Sequence, residues 1–172
     1  NISVGACSKR GMSENSALVK GVNRAWDAGL VVVVAAGNNG PRTMSITTPG
    51  ISRKVITVGC SDDDREVLVG GNRMVDYSGR GPTAACICKA DLVAPGCSVV
   101  SCSSRADKYT IKSGTSMSTP IVSGAVALLL ERFPDMTNKD VKLRLRESCR
   151  DIGLPRNQQG WGLLDVEKLV SK

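Results

Sequence analysis

Residues 112–120, Lys-Ser-Gly-Thr-Ser-Met-Ser-Thr-Pro, run into an apolar segment from Ile121 to Leu130. This places Ser116 where a hydroxyl nucleophile would stand at a helix start. There the hydroxyl and the Ser116 backbone N–H meet the positive end of the helix dipole, and an oxyanion forming at that point would be stabilised. A serine hydroxyl is a weak nucleophile without a nearby base, and the chain contains no histidine. Lys112, in a serine–lysine arrangement, is the one internal substitute. It lies on the strand-like approach to Gly114, with no sign of the desolvation that would lower its pKa, and is set aside. Asn38, in Gly37-Asn38-Asn39-Gly40, is the second chemical candidate. It follows a buried strand, and open α/β sheets collect their sites at the carboxyl ends of strands. Taken without the other motifs, it reads first as a left-handed turn residue.

Several elements must position these two residues. Ser13 reads as the N-cap of a helix over 14–28, with Leu18, Val22, Ala25 and Trp26 at helical spacing and Gly29 as its stop. Residues 31–36 and 54–60 are β-branched runs without alternation, the pattern of strands covered on both faces of a parallel sheet. A hairpin is expected around Gly70-Gly71, and a short strand in Ala90–Gly96. Residues 115–132 are small or apolar almost all round, so this helix belongs inside the domain, with Pro120 tolerated in its first turn. Thr137, with Asp140 three residues on, caps another helix, and 165–172 forms a short terminal one. The fold class is α/β, three-layered, with a mainly parallel sheet.

At 172 residues, 41% hydrophobic and 23% charged, the chain is the size of one globular domain. Its apolar runs fall short of the roughly 20 residues that span a bilayer, so no membrane segment is expected. The net charge is +7, but the seven basic residues between Arg132 and Arg156 are interleaved with four acids and aromatics are scarce. That pattern is a solvated helical face, not a nucleic-acid footprint. Seven cysteines, an odd number without Cys-x-x-Cys, read as mostly small buried residues and favour a reducing compartment or an anaerobic source. The first residue, Asn1, reads as a processing boundary or the cut end of a longer chain.

Five segments then match one pattern in order and spacing: GTSMSTPIVSGAVALLL, VVVVAAGNNGP, DYSGRGPT, KADLVAPG and GWGLLDVEKLV. Over residues 2 to about 170 the chain resembles the C-terminal portion of the catalytic domain of subtilisin-like serine proteases. The whole chain, 1–172, is then a partial peptidase domain. The resemblance implies a Ser116 nucleophile, with the Asn38 amide donating to the oxyanion. It assigns Ser3, Val4 and Gly5 to pairing with the substrate backbone. Ala35, Ala36 and Gly37 become one wall of the pocket for the residue before the scissile bond, with Thr47, Thr48 and Pro49 opposite. Thr47 stands where many relatives have glycine, so medium apolar side chains are expected there. Thr115 and Met117 flank the nucleophile, Thr115 as a substrate-binding residue lining the cleft and Met117 as packing. Asp62 matches a carboxylate of a weak cation site in some relatives, and reads as well as part of a solvated turn. No cofactor is implied for the chemistry, though calcium is a possible structural ion of the parent.

In the family the catalytic aspartate and histidine both precede the matching segment. Asp76, Asp91 and Asp107 do not match the triad aspartate. The base is therefore expected on polypeptide absent from this chain, which alone would be inactive. The expected partners are a polypeptide substrate, the missing N-terminal half and, through a truncated sheet edge, a second copy. The family is often secreted, against the compartment the cysteines favour. The alternative is a catalytically dead relative used for binding or regulation, and a nucleic-acid module is the third reading.

Overall fold

Three strands paired in parallel organise the centre of the computed structural model, which describes residues 1–6, 14–104 and 108–171. β1 (Val33–Ala35) pairs with β2 (Ile56–Cys60), and β2 pairs with β5 (Leu92–Ala94). Every residue of the three strands is buried. Since successive side chains point to opposite faces, both faces of the sheet are covered. The strands are shorter than the runs 31–36 and 54–60 suggested, because the sequence marks burial while pairing decides where a strand ends. Beyond β1, among the described residues, the sheet is extended only by an isolated parallel bridge between Ile2 and Val34.

α2 (Thr115–Arg132) packs against all three strands, α5 (Val166–Val170) packs on α2 and on α3 (Asn138–Ser148), and α1 (Ala17–Asp27) joins the same core. Val22 and Trp26, Val122, Ala125 and Leu129, Val141 and Leu145, and Leu169 form one buried cluster with the strands. Ser16 caps α1, its Oγ accepting from Val19 N at 3.3 Å. The helix thus starts later than the expected residue 14, and Ser13 lies outside the described residues. The box at α3 is as expected: Thr137 Oγ1 accepts from Asp140 N, and the Asp140 carboxylate accepts from Thr137 N. α5 is capped by Asp165.

Pro120 stands inside α2, beyond the first turn where it was expected. A helical N–H at that position would bond the Ser116 carbonyl. Ser3 Oγ donates to that carbonyl instead, at 3.2 Å, so a distant segment replaces the bond that proline removes.

β3 (Val67–Val69) and β4 (Asn72–Met74) form the expected hairpin across Gly70-Gly71, both with positive φ. A second antiparallel ribbon, β6 (Val99–Cys102) with β7 (Tyr109–Lys112), was not anticipated, nor was the short α4 (Arg156–Gln159). The cysteines are also less buried than expected. Of the six described, only Cys60 is buried and Cys86, Cys88 and Cys102 are exposed.

A buried charge cluster ties the sheet to α3. Lys89 Nζ donates to Asp91 Oδ2 and to the Val55 carbonyl, and Asp91 Oδ2 also accepts from Thr57 N at 2.8 Å. Lys142 Nζ reaches in from α3, donating to the carbonyls of Arg53, Lys54 and Val55. It lies 3.9 Å from Asp91 Oδ2.

Candidate active site

Parallel pairing brings the carboxyl ends of β1, β2 and β5 to one edge of the sheet, and α2 begins there. Gly114 N donates to Gly96 O at 2.9 Å, joining the helix start to the loop after β5. Gly114 is the N-cap with φ 136°, a conformation that favours glycine, and it offers no side chain to the free N–H groups of the first turn.

Asn38 supplies what the cap lacks. Its Oδ1 accepts from Thr115 N and from Thr115 Oγ1, each at 3.0 Å, while Thr115 Oγ1 accepts from Gly37 N at 3.2 Å. The carboxamide is therefore held by its oxygen. Its Nδ2, which bonds nothing among the described residues, lies against Gly114: a Cβ placed on that glycine would be 3.2 Å from it. Thr115, expected to line the cleft, is fully buried beneath it and orients Asn38.

Ser116 is half-buried in the first turn of α2. Its Oγ donates to the Ser3 carbonyl at 3.2 Å, answering the bond from Ser3 Oγ to the Ser116 carbonyl. Two reciprocal bonds therefore fix Ser3 to the helix start. A carbonyl oxygen is no base at neutral pH, so this contact orients the hydroxyl without activating it.

Ser3, Val4 and Gly5 run beside Thr47, with Ala6 bridging Thr48 in antiparallel fashion. The wall residues Ala35 and Ala36 are buried, and Gly37 is half-buried. Thr47 is 3% exposed, and a Cβ placed on Gly5 or Gly37 would collide with its side chain. Its Oγ1 donates to the Ala36 carbonyl at 3.3 Å, so the threonine fills the space between the walls and is fastened there.

Asp62 corrects the reading of its segment as a solvated turn. Its Oδ1 accepts from Gly96 N at 2.7 Å, Cys97 N at 3.1 Å and the Cys60 thiol at 3.1 Å. Its neighbour Asp63 is buried and accepts from Ser78 N at 2.7 Å. Converging backbone donors, invisible in the sequence, draw both carboxylates inward. Burial pushes the Cys60 thiol up to about 12 and raises Asp63 above the usual carboxylate range. Among the described residues no group of three or more metal-ligating side chains is gathered. Sequence reasoning missed the roles of Gly96 and Thr115 in aligning the site. Neither residue carries a chemical signal of its own.

The chain has clear relatives. Residues 1–162 match the subtilase family. The chain is 43% identical over 142 residues to the serine protease AprX of Bacillus subtilis (strain 168), a match covering 75% of this chain and 32% of that protein. It is 35% identical over 159 residues to subtilisin DY of Bacillus licheniformis, covering 91% of this chain and 53% of the other. The solved structure of sphericase superposes with a TM-score of 0.75 at 29% identity, over 96% of this chain and 56% of that one. The chain thus spans from about a third to just over half of these three relatives, and over that span it belongs to the subtilase family.

Proposed function

We propose that this chain is the nucleophile-bearing portion of a subtilisin-like serine endopeptidase. Ser116 attacks the scissile carbonyl, and the resulting oxyanion is met by the Asn38 amide and the Ser116 N–H. One observation carries the reading: Asn38 is held by its oxygen against the first turn of the helix that presents Ser116, leaving its amide N–H groups free to donate. The general base and its aspartate belong to polypeptide outside this sequence, and the chain alone is inactive. Ser3 to Gly5 pair with the substrate backbone. Ala35, Ala36, Gly37 and Thr47 bound the pocket before the scissile bond, where the fastened threonine restricts occupants to medium or small apolar side chains. No cofactor takes part in the chemistry. Where, among the described residues, the sheet is continued only by Ile2, the upstream half docks, and a second copy takes its place when that half is missing.

A catalytically dead relative is the second reading, favoured by the bond from Ser116 Oγ to the Ser3 carbonyl, which leaves the hydroxyl unactivated. A fluorophosphonate probe separates the two. The isolated chain should label at background rate. Adding the upstream half of the parent should raise labelling by orders of magnitude, and Ser116→Ala should abolish it. No labelling in the complete parent establishes the dead relative; rapid labelling of the isolated chain refutes the external base.

A further inference from the structure

A cleft of about 420 Å³ opens beside the last turn of α3, lined by Arg146, Asp151, Leu154, Arg156, Gln159 and Trp161 among others. Its frame is fastened. Gln159 is buried, its Nε2 donating to Asp151 Oδ1 at 2.9 Å and to the Leu154 carbonyl, and its Oε1 accepting from Ile152 N at 3.0 Å. Trp161 is half-buried, packs against the main core and also lines the cleft. Its backbone N donates to the Asp91 carbonyl at 2.7 Å.

The positive charge here is unspent. Arg146 and Arg156 are exposed, and neither guanidinium has a hydrogen bond or ion pair among the described residues. Asp151 shares the cleft, yet its Oδ1 accepts from Gly153 N at 2.8 Å and from Gln159 Nε2, which holds its carboxyl below the usual range. Arg146 follows Lys142 by one turn of α3, and its acidic neighbour Glu147 falls on another face of the helix. The lining therefore sets two cations against one carboxylate. A carboxylate ligand would fill one guanidinium fork, whereas a phosphate monoester has three oxygens to share between two. The cleft leaves room beyond a phosphate group, and the wall that remains, Leu154 and the Trp161 indole, suits a flat ring.

This cleft is remote from the nucleophile. Trp161 meets Asp91, just before β5, while Ser116 stands at the carboxyl ends of the strands. Leu163 bridges Val93, so the segment lies beyond β5, at the opposite edge of the sheet from Ile2.

We infer that this cleft binds a phosphate ester carried on a flat ring, with Arg146 and Arg156 taking the phosphate and Trp161 the ring. The assignment stands whether or not the parent is an active protease. Phosphorus NMR titration of the complete parent with adenosine monophosphate and with inorganic phosphate tests it. Exposed guanidiniums place the Kd for adenosine monophosphate at about 0.1–1 mM, about five- to tenfold tighter than for inorganic phosphate. Arg146→Gln and Arg156→Gln should each weaken it about two- to fivefold, and Trp161→Leu should bring the two phosphates level. Fluorophosphonate labelling of Ser116 should be the same in both arginine variants as in the wild type. Equal affinity of the wild type for the two phosphates, or unchanged binding when both arginines are replaced, overturns the inference. So does preference for an oligoglutamate peptide over either phosphate, which would make the cleft a docking site for an acidic chain.

Discussion

Replacing Asp91 with alanine removes the one carboxylate of a cluster that holds two lysines. Lys89 is 1% and Asp91 8% exposed at the side chain, so solvent cannot take over the lost partner. Lys89 would keep only the Val55 carbonyl, and Thr57 N would lose its acceptor. Removing one partner of a buried pair costs about 3–5 kcal/mol, because an uncompensated charge stays behind. Against a total stability of about 5–15 kcal/mol this is a large fraction. For a chain of this size it corresponds to a fall in Tm of about 6–20 °C. Urea unfolding followed by circular dichroism at neutral pH reads the loss directly. The double variant Lys89→Met with Asp91→Asn removes both charges and retains an acceptor for Thr57 N, so it should recover most of the stability. If Asp91→Ala stays within about 1 kcal/mol of wild type, or if the double variant is no better than the single one, the account of the cluster is wrong.

Thr47→Gly in the complete parent should open the pocket before the scissile bond and shift kcat/KM toward large aromatic residues; an unchanged preference in a peptide series would show that Thr47 does not set its size. Asn38→Leu should lower kcat by about 10²–10³-fold with little change in KM, a magnitude carried over from a subtilisin; an equal rise in KM would show that the amide binds the ground state as well. Burial holds the Cys60 and Cys149 thiols up to about 12. Iodoacetamide near pH ~8.5 should therefore modify Cys86, Cys88 and Cys102 and spare these two, as peptide mass mapping would show. Because both folded-state values lie above the ordinary 9.0, the stability they contribute is fully present below that pH and lost as pH rises toward about 12. Thr137→Ala breaks the capping box of α3 and should cost about 1 kcal/mol in the same urea experiment.

Much of the fold was legible in the sequence, because burial leaves a local signature. Unbroken β-branched runs marked β1 and β2, and an apolar, small-residue helix marked α2 with the bounds found in the structure. The Thr137 and Asp140 box was readable because both partners lie within one turn. The proposed roles of Ser116 and Asn38 come from the resemblance their segments carry. What the sequence could not express was the pairing of distant groups. Three features come from segments that meet only when the sheet closes: Asn38 capping α2 in place of Gly114, Ser3 supplying the bond that Pro120 removes, and the backbone amides at 96–97 drawing Asp62 inward. The ribbon of β6 and β7 escaped notice for a related reason. Its exposed face alternates too briefly over four residues per strand to be told from a loop, and antiparallel pairing across its turn is what makes it a surface. Sequence therefore marked most of the buried core and the residues proposed to carry chemistry. The tertiary structure decided how they are aimed, because hydrogen-bond direction depends on neighbours that the chain order keeps far apart.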